Sequence, residues 1–247
     1  MIGVVGTDET IESQLTPVID GSIDLRTGTV DVVLDDEPEV VIAVGESAVI
    51  DLATRETSIP VLPVDVGAGL PSITVEQLVD AVRTLADGVA DTRSYPILEI
   101  RVDGEQRAHA LYDAMLVTTE PARISEFTVA GETPIERFRA DGVVVASPVG
   151  SYGYARRAGG PTIAPETAAA VVVPVSAFAT HIDQWVIDPT PPIEITIERN
   201  EGEITLLADD RDTGSVPHYT PIEFTFAPDT QFEAVILDGT EQRLEKL

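Results

Sequence analysis

The stretch least like ordinary structural sequence is Asp141-Gly-Val-Val-Val-Ala-Ser-Pro-Val-Gly-Ser-Tyr-Gly-Tyr154, which runs on to Ala158-Gly-Gly-Pro161. An apolar run ends at Ala146, and the loop after it combines small residues, hydroxyls and glycines. Such a loop lets backbone approach a ligand closely and offers N–H groups to it. The same composition also makes a tight β-turn, so composition alone leaves both readings open. Arg156-Arg157 follows the loop and is the only adjacent pair of cations in the chain. Guanidinium forks suit phosphate oxygens, and they equally suit neighbouring surface acids. Asp209-Asp210-Arg211-Asp212 can hold magnesium through substrate phosphates or form a solvated acidic turn. His109, His181 and His218 are scattered without helical spacing, so no protein metal cage is expected. Gly67-Ala-Gly69 is a tight turn, too short to count as a dinucleotide fingerprint.

The 141–161 segment resembles the signature of the NAD kinase family. That signature runs Asp-Gly, an apolar strand, Ser-Thr-Pro-Thr-Gly-Ser-Thr-Ala-Tyr, then Ser-Ala-Gly-Gly-Pro. Asp141-Gly142, Ser147-Pro148, Gly150-Ser151, Tyr154 and Ala158-Gly159-Gly160-Pro161 match in order and spacing. The resemblance implies an enzyme that phosphorylates the 2′-hydroxyl of the adenosine ribose of NAD. ATP and NAD are then substrates, and Mg2+ is carried on substrate phosphates. It further implies two domains and a homo-oligomer.

The family's hallmark, Gly-Gly-Asp-Gly after an early strand, falls on Val44-Gly45-Glu46-Ser47. The resemblance makes Glu46 the general base, with Gly45 and Ser47 in the phosphate turn; Glu46 can also be read as a surface acid that starts a helix. The family's Asn-Glu pair for the adenosine end of NAD falls on Tyr112-Asp113. Ser147, Gly150, Ser151, Tyr154, Arg156, Arg157 and Asp209 complete the expected dinucleotide site. Val149, Tyr152 and Gly153 replace the signature's threonines and alanine, and Phe178 and Asp183 stand where a histidine and an arginine are usual. The altered hallmark predicts weakened kinase activity. Two functions are compatible with it: an ATP-dependent kinase, and an inactive paralogue acting as a nucleotide-binding regulatory or structural subunit.

The elements that must position these residues have two textures. Residues 1–93 read as a small Rossmann-like α/β domain. Its strands are Ile2–Val5, Val30–Leu34, Val40–Val44 and Ile59–Val64. Their continuous apolar character points to a parallel sheet covered on both faces. Thr74–Gly88 reads as a helix, with Thr74 and Gln77 as its capping box and Gly88 as its stop. Residues 94–247 read as a β-rich, sandwich-like domain. Its strands are Ile97–Val102, Ala110–Val117, Ile124–Val129, Ile135–Arg139, Val143–Ala146, Ala169–Val175, Ile193–Glu198, Ile204–Leu207, Ile222–Phe226 and Ala234–Leu237. Asp91–Pro96 reads as the linker.

Composition argues against nucleic acid and anionic membranes as partners, and the resemblance implies small-molecule nucleotides. The 247 residues carry 43 acidic and 15 basic side chains, a formal charge of −28. Such a surface repels nucleic-acid phosphates and anionic membranes. Cysteine is absent, which excludes disulfides and thiolate chemistry. The start lacks a basic flank and a long apolar stretch, and the longest apolar run, 168–179, is too short to span a bilayer, so a cytoplasmic protein is expected. The single lysine is Lys246, and the acids are spread along the whole chain. This pattern points to a halophilic, haloarchaeal-type protein, with an acidic protein of an ordinary cell as the alternative. At 1 M salt the screening length is only about 3 Å, and the excess charge then opposes folding little. The thermal midpoint is accordingly expected to rise by at least 10 °C, an order-of-magnitude figure, between dilute buffer and molar potassium chloride. Equal midpoints would refute the halophile reading.

Overall fold

The computed structural model describes residues 1–19, 23–55, 57–88, 90–120, 124–179, 182–199, 202–237 and 240–242. It forms two compact units: Met1–Tyr95 with Thr230–Leu247, and Pro96–Asp229. The expected break at 93/94 thus falls two residues later. The C-terminal segment, expected in the second domain, belongs to the first.

The first unit is a parallel α/β layer. Its elements are β1 (Ile2–Val5), α1 (Glu9–Ile19), β2 (Leu25–Gly28), α2 (Val30–Asp35), β3 (Val40–Val44), α3 (Glu46–Ala53), β4 (Val61–Val64), β5 (Pro71–Ser72) and α4 (Leu78–Ala86). The sheet order is β2-β1-β3-β4, parallel throughout. β1, β3 and β4 are buried along nearly their whole length, as continuous apolar runs require, whereas the edge strand β2 is partly exposed. Val4, Ile42, Leu62 and Val64 meet Leu78 and Val82 of α4 in one core. The predicted capping box is present: the Thr74 N–H donates to Gln77 Oε1 at 2.8 Å. Gly88, at φ 75°, lies two residues past α4.

Val30–Leu34, expected as a strand, is helix α2. Thr29 is extended and begins it, and Val30 and Val33 are its buried residues, one turn apart. Burial of that single face outweighs the strand preference of valine.

The second unit contains β6 (Asp91–Val102, entering from the first), β7 (Glu105–Ala110), β8 (Asp113–Thr118), β9 (Ser125–Ala130), β10 (Pro134–Ala140) and β11 (Gly142–Ala146). It continues with α5 (Tyr154–Arg157), β12 (Ala170–Val175), β13 (Trp185–Ile187), β14 (Ile193–Arg199), β15 (Ile204–Ala208), β16 (Arg211–Ser215) and the first part of β17 (Pro221–Ile236). One sheet includes β10-β9-β14-β17, with β6 beside β17 and β7 beside β6; the other has the order β13-β12-β11-β8-β15-β16. Phe127, Val129, Ile195 and Phe224 of the first sheet share a core with Leu116, Val145, Val172 and Leu206 of the second. The outer faces of β11 and β12, Val144, Ala146, Val171 and Val173, are covered by Ala155 of α5.

Three sequence expectations change here. The supposed linker 91–96 is the start of β6, whose residues 91–94 are exposed and so lack apolar alternation. The supposed strands 222–226 and 234–237 are one 16-residue strand, β17, and its Ala234 pairs in parallel with Val61 in the first unit. The supposed strand 110–117 is broken between Ala110 and Asp113 by a bend at Leu111-Tyr112.

An aromatic stack links the two sheets. Phe127 lies 5.9 Å from Phe138, and Phe138 lies 5.8 Å from Trp185, the only tryptophan. Phe138→Ala is expected to destabilise the fold by about 3–5 kcal/mol. Denaturant unfolding in molar potassium chloride, followed by Trp185 fluorescence, measures this. A loss below about 1 kcal/mol would show that the stack is peripheral.

Candidate functional site

The bend that interrupts the 110–117 run is where the predicted site residues of the second unit converge. Its three successive N–H groups point at one carboxylate. Leu111 N–H donates to Asp209 Oδ2 at 2.6 Å, and Tyr112 and Asp113 N–H donate to Oδ1 at 2.7 and 3.1 Å. The Asp209 N–H returns a bond to the Asp113 carbonyl at 2.9 Å. Asp209 follows β15 with φ 47°, and Asp210 has φ 65°. Both lie in the left-handed region that Asp tolerates better than most residues. Burial pushes the Asp209 carboxyl up to about 6, against the three amides and Arg211, which pull it down. Arg211 Nη2 stands 3.9 Å from Oδ2 and also donates to the His109 carbonyl at 3.3 Å.

The signature loop grips the other side of the bend. Ser147 Oγ donates to the Leu111 carbonyl at 2.6 Å, and Ser147 N–H donates to the Tyr112 carbonyl at 2.8 Å. Gly150 N–H donates to Ser147 Oγ at 3.1 Å. Ser151 Oγ donates to the Pro148 carbonyl at 2.7 Å and accepts from Ile163 N–H at 3.0 Å. Both hydroxyls are therefore buried and engaged by the chain itself. The glycines have steric reasons. A Cβ on Gly150 would lie 1.8 Å from the Tyr112 oxygen, one on Gly142 2.5 Å from the Leu116 oxygen, and one on Gly160 2.6 Å from Val173 Cγ2. Gly159, at φ 96°, follows the C-cap of α5.

Around this knot, Tyr112 is buried and Asp113 is half-buried. Tyr154, Arg156 and Arg157 are exposed on α5. Tyr152 is held above its usual range by burial first and by Glu166 second, with Arg156 opposing. Asp210 and Asp212 are exposed, and among the described residues no three His, Asp or Glu side chains stand together as a metal cage. His181 lies outside the described residues.

The other predicted residues stand in the first unit. Gly45 joins β3 to α3 at φ 82° and ψ 160°, and Glu46 and Ser47 open the helix with exposed side chains. The Gly45 N–H donates to the Val64 carbonyl at 2.8 Å. A Cβ on Gly67 would lie 3.7 Å from Glu46 Oε1, so the 67–69 turn borders this acid. The structure thus brings Tyr112, Asp113, Ser147, Gly150, Ser151 and Asp209 together, and separately Gly45, Glu46 and Ser47. Sequence reasoning missed the amides of 111–113 as a receptor for Asp209. An acid pair where two short strands meet was the available signal.

Residues 111–232 match the model of the ATP-NAD kinase C-terminal domain. The chain is 27% identical over 215 residues to an NAD kinase of Methanospirillum hungatei, covering 85% of this chain and 78% of that protein. It is 30% identical over 176 residues to an NAD kinase of Methanosarcina barkeri, covering 69% and 64%. In fold it is similar to an NAD kinase from Archaeoglobus fulgidus solved in complex with ATP, with TM-score 0.78, 18% identity and coverage of 98% and 94%. Yeast NADH kinase solved with NADH gives TM-score 0.81, 14% identity and coverage of 98% and 85%. The match to the ATP-NAD kinase C-terminal domain takes in most of the second unit, from residue 111, and runs three residues into the first. Together with the curated relatives, that domain supports the NAD kinase family for the chain.

Gly150→Ala is expected to destabilise the fold by more than about 2 kcal/mol, because backbone must move to admit the methyl group. Gly104→Ala is the control: nothing lies within 4 Å of its would-be Cβ, and its cost comes from φ 76° alone. Equal melting temperatures for the two variants would contradict the close approach.

Proposed function

We propose that the chain is an ATP-dependent NAD kinase, transferring a phosphoryl group to the 2′-hydroxyl of the adenosine ribose of NAD to make NADP. The observation that carries this reading is the convergence of 111–113, 147–151 and Asp209 on one buried knot, inside the region that matches the ATP-NAD kinase C-terminal domain. The inactive, nucleotide-binding alternative is not favoured, because the relatives by sequence and by fold are kinases.

In this reading Glu46 takes the proton of the ribose 2′-hydroxyl as its oxygen attacks the γ-phosphorus. The bond from that phosphorus to the bridging oxygen breaks, and ADP leaves. Gly45 and Ser47 line the phosphate side of the turn, at the N-terminus of α3, where backbone N–H groups favour anions. Asp113 and Tyr112 hold the adenosine end. Ser147, Gly150, Ser151 and Asp209 form the wall behind them, with Tyr154 at the rim and Arg156 and Arg157 available to phosphate. Mg2+ would be held on ATP phosphate oxygens. No described helix is long and apolar enough to cross a membrane. The finer proposals are a Rossmann-like first unit, a haloarchaeal-type member with an altered hallmark, a halophilic cytoplasmic setting and a homo-oligomer.

The test is NADP formation from ATP, NAD and Mg2+ in molar potassium chloride. Glu46→Gln is expected to lower kcat by about 10²-fold or more. Val44→Gly, Glu46→Asp and Ser47→Gly combined are expected to raise it, by up to about 10²-fold if carboxylate placement limits the rate. NAD binding without any NADP formation would instead support the regulatory-subunit reading.

A further inference from the structure

Backbone N–H groups on consecutive residues make an anion-binding concavity, and the 111–113 bend is one already filled from within the chain. Several features tie the occupant to the site and not to general stability. The bend replaces what the sequence would otherwise continue as one strand from Ala110 to Val117. Its amide side is held by Asp209 and its carbonyl side by Ser147, so the two together fix the direction in which residue 113 leaves. The Asp209 side chain is fully buried, with all three amides of the bend directed at its two oxygens.

We infer that Asp209 is a positioning residue for dinucleotide binding: its carboxylate, holding the amides of Leu111, Tyr112 and Asp113, sets the backbone that presents Asp113 to the ligand. This rests on the reading that Tyr112 and Asp113 hold the adenosine end of NAD. The dinucleotide itself does not touch Asp209. The charged group facing the carboxylate is Arg211 at 3.9 Å, from β16. The other titratable side chains on the residues that meet there are His109 from β7, Tyr112 and Asp113 from the bend and β8, and Asp210 beside it.

The direction of the pH effect follows. The anion accepts all three bonds above about 6, where the carboxyl is ionised. A proton on Oδ2 turns that oxygen into a donor, and the Leu111 bond is lost first. The folded-state value is raised, so protonation does not weaken the fold: between the raised value and the ordinary carboxylate range, this group favours the native state as pH falls. Ligand affinity and stability should therefore respond to acid in opposite directions at this residue, which a merely structural role would not produce.

The experiment measures NAD affinity by calorimetry in molar potassium chloride from pH 8 to pH 5.5. It uses the unmodified protein, Asp209→Asn and Asp113→Ala. The unmodified protein is expected to lose about tenfold in affinity as pH falls through 6, the effect of about one charge-assisted hydrogen bond. Asp209→Asn is expected to bind about tenfold more weakly at pH 8 and to show a flat profile. If Asp209→Asn does not fold, amide exchange on the unmodified protein decides. The Leu111, Tyr112 and Asp113 amides should lose about tenfold in protection relative to Val144 over the same pH range, and unchanged protection overturns the inference. If Asp113→Ala weakens NAD binding while neither Asp209→Asn nor acid does, the positioning role alone falls. If Asp113→Ala leaves affinity unchanged, the adenosine-binding reading falls and takes this inference with it.

Discussion

Gly150 sits so close to the Tyr112 carbonyl that a single methyl group would overlap its oxygen, and much of the second unit is arranged around that contact. A loop can lie this near another backbone only if both have their polar groups satisfied, since buried unpaired amides cost about 1–3 kcal/mol each. The Tyr112 and Leu111 carbonyls are met by the Ser147 N–H and hydroxyl, and the three amides of the bend are met by Asp209. Each of these residues is therefore dictated by its neighbours. A longer hydroxyl or an alanine at 147 would leave a carbonyl or an amide unmatched. Ser147, Gly150 and Ser151, read in the sequence as ligand-facing, act first as architecture. What this architecture holds up is the half-buried Asp113, with the exposed face of α5 beyond the loop.

The charge of −28 is carried where it does little to the fold. Side-chain ion pairs of the first unit such as Arg26–Asp36, Arg55–Asp31 and Arg83–Asp80 are largely exposed. Such pairs contribute roughly 0–1 kcal/mol each and less in concentrated salt. Arg137 and Glu126 are paired at 2.8 Å on the sandwich surface, and that bond holds the glutamate below its usual range. Arg101 and His109 gather at the largely buried Glu99. The weight of stabilisation consequently rests on apolar burial, such as the sandwich core and the sheet beneath α4. Salt screens the repulsion between surface charges and leaves that burial in place.

How much of this was legible follows from what each signal measures. Apolar runs buried on both faces, such as Val40–Val44 and Val143–Ala146, were read correctly because burial leaves no ambiguity. The Thr74–Gln77 capping box was read because its two bonds are local. Val30–Leu34 was misread because a six-residue helix with one buried face offers too short a period to separate from a strand. The exposed start of β6 and the unbroken length of β17 were missed because ladder bonds to a distant strand leave no mark on local polarity. The break at Leu111-Tyr112 lay out of reach for a related reason. Its cause is a carboxylate 97 residues away from Tyr112 in sequence.

The turn at 44–47 separates what the backbone needs from what a ligand needs. Val44 ends β3 in ordinary strand geometry, and Glu46 and Ser47 begin α3 in ordinary helical geometry. Only Gly45 has a left-handed φ, at 82°. The chain has kept glycine at the one position of the four where the fold requires it. It has kept Gly6 as well, whose would-be Cβ would fall 2.2 Å from the Val44 oxygen at φ 78°. Side chains at 44 and 47 therefore cost the fold little. The strand-to-helix junction thus depends on Gly45, and its backbone geometry accepts the side chains of Val44, Glu46 and Ser47.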